Sequence, residues 1–279
     1  MTLRIKSIYG SLTHSEKRVA NIILTDPIGI TKKSVKEIAA EASVAPSAVI
    51  RFCKKTGVDG LLELKNALIE EFTKGEDKFQ QALPISQGDS ISDIVSKTFQ
   101  LGENTLRNTL KMLDFQEIER IIEKIIVANR VVCFGVGTSS VIATDAHYRF
   151  SQLGISCSYC SDILFMNVTT ANLTENDLAI FISHSGQTKA TVDAMRQAKE
   201  KNATTVAISS YSNSLLAKES DHAIIAFSDA INYPVEAVSA SIAHMCIVDS
   251  LMMAIAKKKF NALPEFMTTR NKALTNIRY

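Results

Sequence analysis

The chain has 279 residues, of which 46% are hydrophobic and 22% charged, an ordinary balance for a water-soluble globular protein with room for one large core and a small helical one. The absence of Trp and an aromatic content of 6% argue against a stacking platform for single-stranded nucleic acid. A net charge of +2 excludes a polycation, but residues 1–80 carry 13 Lys and Arg against 10 Asp and Glu while the remainder carries 18 against 19, so any nucleic-acid role belongs to the first part.

Up to about residue 72 the pattern is one of short, punctuated helices. Thr13-x-x-Glu16 is a capping box before a helix whose apolar Val19, Ile22 and Ile23 share a face, and Asp26-Pro27 ends it. Ser34-x-x-Glu37 is a second capping box, opening VKEIAAEA. A break at Ser43-Val44-Ala45 leads to Pro46 at a first helical position, and the next helix runs through SAVIRFCKKT to Gly57. A further helix near Leu61–Phe72 closes the unit. Residues 73–92 hold Gly75, Pro84 and Gly88 among polar residues and read as a domain boundary. Helical spacing resumes over Ile94–Asn129, with a break near Leu113-Asp114-Phe115. From Arg130 the period changes: VVCF, DLAIFIS and TTVAIS are short β-rich runs, each followed by a polar loop and a helix-length segment. That alternation predicts a doubly wound parallel sheet, making the fold α/β behind an all-α first domain.

The five cysteines, Cys53, Cys133, Cys157, Cys160 and Cys246, are odd in number and scattered, as in reduced thiols of a cytoplasmic protein. Cys157 and Cys160 form a C-x-x-C, but no second pair follows at zinc-site spacing, so neither a metal nor a redox role is expected. The N-terminus lacks an apolar signal region and no run reaches 18 apolar residues, so no membrane partner is expected.

Two regions carry chemistry. In the first, helix, tight turn and basic helix make a helix-turn-helix layout, in which Ser47, Ala48 and Arg51 would face bases or phosphates of double-stranded DNA. Val49 and Phe52 would anchor the helix, and Arg51, Lys54 and Lys55 would neutralise phosphates. Charge alone leaves a plain helical bundle with a basic face equally open. In the second, Gly135–Ser140 and Ser183–Thr188 each follow a strand and precede a helix, where hydroxyls and backbone N–H groups favour an anion. The first loop is no dinucleotide fingerprint, because its third glycine position is Ser140, and no G-x-x-x-x-G-K-[ST] occurs; no cofactor is expected. His147 and His244 fall within amphipathic helices and read as structural.

The stretch SEKRVANIIL, followed by SVKEIAAEASVAPSAVIRFCKKTGVDGLLELKNAL, resembles the DNA-binding domain of RpiR-type regulators over about residues 12–70. Two positions depart from that pattern: Ser43 stands where the family has Gly, and Ala45 where it has a Ser or Thr cap. Residues from roughly 93 to 270 resemble a SIS (sugar isomerase) domain, with S-x-S-G-x-T at Ser183–Thr188 as the most specific feature. The resemblance implies domains at 1–77 and 93–279 joined by a linker at 78–92. It also implies a phosphate held by Ser183, Ser185 and Thr188, with Ser139 or Ser140 contributing. His184 and Gln187 lie in the same loop, and Glu236 matches an acidic residue near the sugar. The expected partners are a double-stranded operator of inverted-repeat form, a phosphorylated sugar effector and a second copy of the chain, and the expected activity is regulatory with no catalytic residue. A sugar-phosphate isomerase is the alternative, and the basic helical unit speaks against it.

Overall fold

The computed structural model describes residues 1–74, 86, 88–228 and 238–259, with single positions 264, 268, 271, 272 and 275 beyond. In the first unit α1 (Thr2–Ile8) and a 3-10 turn (Tyr9–Ser11) precede α2 (His14–Thr25), α3 (Pro27–Ile30), α4 (Val35–Glu41), α5 (Pro46–Lys55) and α6 (Leu61–Lys74). Both capping boxes form: the Thr13 N–H donates to the Glu16 carboxylate at 2.8 Å and the Ser34 N–H to that of Glu37 at 2.6 Å. Pro27 opens α3 directly behind Asp26, and Pro46 opens α5. Val19 and Ile23 of α2, Ile38 of α4, Val49 and Phe52 of α5, and Leu64 and Leu68 of α6 close into one buried core, to which α1 adds Ile5 and Ile8.

Both departures at the turn between α4 and α5 have physical consequences. Ser43 has φ +49°, the left-handed region in which glycine alone is unstrained, and Ala45 caps α5 without a side-chain bond. The Arg18 guanidinium donates to the Ser43 carbonyl at 2.7 Å and clamps the turn from α2. Gly57, with φ +77°, opens the turn from α5 to α6.

The second unit begins with α7 (Ile91–Met112), three residues ahead of the expected Ile94 because Ser90 and Asp93 form a capping box. It continues through α8 (Phe115–Val127), β1 (Arg130–Gly135), α9 (Thr138–Ser151), β2 (Cys157–Cys160), α10 (Ile163–Ala171), β3 (Asp177–Ser183), α11 (Lys189–Glu200), β4 (Thr204–Ser209), α12 (Leu215–Glu219), β5 (His222–Ile225) and α13 (Val238–Lys258). The five strands are parallel in the order β2-β1-β3-β4-β5, a doubly wound sheet. Alternation along each central strand divides two cores. Val131, Cys133, Ile180, Ile182, Val206 and Ile208 face α8, α9 and α13, while Val132, Phe134, Ala179, Phe181 and Ala207 face α10, α11 and α12. Phe134 and Phe181 stack on the latter face with ring centroids 4.7 Å apart.

Ser239–Lys258 is long and apolar enough to cross a membrane by length and composition. Its Ala243, Ile247, Val248, Leu251 and Ile255 are buried in the sheet's core, and it packs against α7 and α9, so it is a core helix. Cys157 and Cys160, three apart on a strand, point to opposite faces and join different cores, which separates the C-x-x-C thiols.

Candidate functional site

On α5 the core stripe is Ala48, Val49, Phe52 and Cys53, so Ser47, Arg51, Lys54 and Lys55 fall on the solvent side. Arg51 Nη1 lies 3.4 Å from Ser47 Oγ, one turn earlier, and can donate to it. One expectation needs correction. Ala48 is 2% exposed: it sits one turn before Phe52 on the same face and is turned away from any groove. The Lys55 ammonium is 2.7 Å from the Glu16 carboxylate, so its charge is compensated within the unit. Burial raises the Glu16 pKa, but bonds from Lys55 and Thr13 outweigh it and hold the carboxyl below its ordinary range. Arg51, Lys54 and Lys55 are all exposed, and Lys55 is paired with a carboxylate of its own unit.

The two hydroxyl loops lie side by side. Gly135 pairs with Ile182 and Ser183 with Ser209, so β1, β3 and β4 end together, at the point where the strand order reverses between β1 and β3. Ligands of open α/β sheets bind in that crevice. Gly135 allows the close approach of α9: a Cβ there would stand 2.4 Å from the Ser139 carbonyl oxygen. Ser139 is buried, and Ser140 Oγ donates to the Gly137 carbonyl at 2.6 Å.

In the second loop Gly186 has φ +59°, and a Cβ on it would meet Ser214 Oγ at 2.2 Å and Ser209 Oγ at 2.8 Å. Its N–H donates to the buried Ser183 Oγ at 3.1 Å, and the Gln187 N–H donates to Ser185 Oγ at 3.3 Å. Ser183 Oγ and Thr188 Oγ1 are 3.4 Å apart, with Thr188 at the N-cap of α11. Ser185 is half-buried, while Gln187 and Thr188 are exposed. Serines and threonine thus converge on the N-terminal ends of α9 and α11, where free N–H groups and the macrodipole favour negative charge. Lys189 adds no cation to this crevice, since its side chain is 89% exposed and paired with Asp193. Glu236 lies outside the described residues.

His184 is held from both sides. Its carbonyl accepts from the Ser210 N–H at 3.0 Å, and its Nδ1 lies 3.0 Å from Ser210 Oγ, which in turn lies 3.2 Å from His244 Nε2. Burial, then the charge of His184, push the His244 pKa down to about 3, so His244 is neutral near pH 7. The expected structural role of His244 therefore extends to bracing the loop.

Comparison with known proteins accords with both regions. The rpiR-family helix-turn-helix model matches residues 1–75, and the SIS domain model matches residues 124–254. An HTH-type transcriptional regulator of Caldanaerobacter subterraneus subsp. tengcongensis is 30% identical over 271 residues, 97% of this chain and 95% of the relative. The chain belongs to the RpiR family of transcriptional regulators. Escherichia coli HexR is another relative of this RpiR-type regulator, 29% identical over 224 residues, 80% of the chain and 76% of HexR. Among solved structures, Vibrio vulnificus NanR complexed with ManNAc-6P has a TM-score of 0.63 at 19% identity, covering 99% of the chain and 98% of NanR. The sugar isomerase domain of an RpiR transcription factor from Sphaerobacter thermophilus has a TM-score of 0.60 at 24% identity, over 64% of the chain and 98% of that domain. These likenesses show the fold.

A third set of hydroxyls in this RpiR-type regulator becomes visible in the fold. Ser209, which ends β4, and Ser210 and Ser214 behind it, all buried, brace the Ser183–Thr188 loop. A signal was present: SYSNS directly behind TTVAIS repeats the arrangement of serines after a strand that marked the other two loops.

Proposed function

We propose that this RpiR-type regulator binds an operator through α5 and that a phosphorylated sugar in the SIS domain modulates that binding. The observation that carries the reading is the convergence of hydroxyls from two strand-end loops on the N-termini of α9 and α11, at the switch point of the sheet. A phosphate dianion gains charge-assisted bonds from such donors. Ser183, Ser185 and Thr188 take the phosphate, Ser139 and Ser140 add to it from the first loop, His184 and Gln187 face the sugar, and Glu236 is assigned to the sugar by the resemblance alone. NanR, which shares the fold, is complexed with ManNAc-6P, itself a phosphorylated sugar, and the operon controlled here is one for carbohydrate or amino-sugar breakdown. On the DNA side Ser47, Arg51 and Lys54 make the contacts. Residues 1–77 form the DNA-binding domain, 78–92 the linker and 93–279 the effector domain. Two copies pair through C-terminal helices and bind an inverted repeat in the cytoplasm.

The role is binding without turnover. A thermal-shift screen of phosphosugars against their unphosphorylated parents tests the reading, because a ligand held only by the folded state raises its melting temperature. Shifts confined to phosphorylated members support it; shifts by the parents alone refute it.

A further inference from the structure

Helix α1 belongs to the DNA-binding unit. Ile5 and Ile8 lie in that unit's core, and the Arg4 guanidinium covers Gly57 behind α5, where an added Cβ would stand 1.8 Å from Nη2. The same helix and the 3-10 turn after it also rest on the second unit, at the carboxyl end of β4 and β5. The Ser212 N–H donates to the Ser7 carbonyl at 3.2 Å. Lys6, 8% exposed, places Nζ 5.3 Å from the centroid of the Phe227 ring. The Tyr211 ring lies across Gly10 so closely that a Cβ there would be 3.0–3.1 Å from three ring atoms.

Tyr211 also meets His184 edge-on, with centroids 5.4 Å apart and planes at 61°. Its neighbour Ser210 holds His184 through backbone and side chain, and Ser209 and Ser214 abut Gly186. The turn from Ser209 to Ser214 is therefore shared: one side shapes the Ser183–Thr188 loop, and the other seats the first turns of the DNA-binding unit.

We propose that this turn, with Tyr211 at its centre, is the surface through which the Ser183–Thr188 loop and the DNA-binding unit sense each other. A group entering the loop shifts His184 or Gly186, the turn follows because it is bonded to His184 and packed against Gly186, and α1 moves with the turn. Because α1 covers Gly57 just behind α5 through Arg4 and shares one core with α5, the displacement reaches the DNA-binding helix. The proposal takes the loop as the effector site from the reading above, but coupling between sites is reciprocal, so it is testable from the DNA side without any sugar.

The experiment is hydrogen–deuterium exchange on the full chain, with and without a DNA duplex selected by the wild-type protein from random sequence. DNA is expected to change exchange of residues 183–188 and 209–214 by at least about fivefold, the lower end of usual coupling. Gly10→Val, which wedges the Tyr211 contact from outside both sites, is expected to bind the duplex and lose that response. Tyr211→Ala, its fold checked by thermal melting, is a second variant expected to lose it. No response in the wild type, or an undiminished response in a folded variant, overturns the proposal. Failure of the phosphosugar reading shows differently: calorimetry finds no sugar phosphate bound, while the DNA-induced response remains.

Discussion

The hydroxyls of Ser183 and Thr188 stand 3.4 Å apart, one buried beneath the loop between β3 and α11 and the other exposed at the helix N-cap. At that distance the two oxygens touch, so a phosphate bound as proposed lies against the pair at the N-terminus of α11. Each charge-assisted bond is worth roughly 1.5–3 kcal/mol, so removing the phosphate from an effector is expected to weaken binding by several powers of ten. Calorimetry with matched sugar and sugar-phosphate pairs measures this, and equal affinities would be inconsistent with the loop's role.

For the DNA-reading helix, Arg51→Ala is expected to cost about 1–3 kcal/mol of operator affinity if the guanidinium reads a base. Lys54→Ala should weaken binding across sequences and lower the salt slope by about 1. Lys55→Ala should affect DNA less than Lys54→Ala, because its ammonium is bound to Glu16. Gel-shift titrations at several salt concentrations separate the three; a Lys55 effect as large as that of Lys54 would show that the ion pair opens on DNA.

The two departures in the turn make a stability prediction. Ser43→Gly relieves a left-handed serine and should stabilise the first unit by about 0.5–1 kcal/mol, and Ala45→Ser should add about 1 kcal/mol by capping α5. Urea denaturation checks both. A destabilised Ser43→Gly would mean that the serine side chain earns its place in the turn.

His244 gives a pH dependence. Its folded-state pKa lies below the ordinary 6.5, so the unfolded chain binds the extra proton first. The contribution is fully present above about pH 6.5 and is lost as pH falls toward 3, at up to about 1.4 kcal/mol per pH unit. His244→Gln should flatten this slope between pH 4 and 6.5 in denaturant titrations; an unchanged slope would mean that other groups set it.

The legible parts of the molecule were those with strong local chemistry. Capping boxes at Thr13 and Ser34, prolines 27 and 46, and the buried runs of β1, β3 and β4 all name their elements without tertiary help. The edge strands β2 and β5 were not read, because CSYC and HAII are four residues long and gain their pairing from β1 and β4. The hydroxyl loops were legible as motifs. Ala48 was misplaced because composition shows which residues are small, but not which helix face the core takes, and the carboxylate opposite Lys55 was equally out of its reach. The brace from Ser210 and His244 joins residues 34 apart and exists only through the fold.

Catalysis offers a separate check. Incubation with sugar phosphates, followed by proton NMR, is expected to show binding and no aldose–ketose exchange; steady exchange at about 1 per second would make the protein an enzyme.

The most direct measurement of the central claim is operator affinity with and without the phosphosugar that gives the largest thermal shift, at fixed salt, for the wild type and Ser185→Ala. The account predicts that saturating phosphosugar changes wild-type affinity by about fivefold or more, while Ser185→Ala binds the operator normally and does not respond. An operator affinity indifferent to the phosphosugar, or a full response retained by Ser185→Ala, would contradict it.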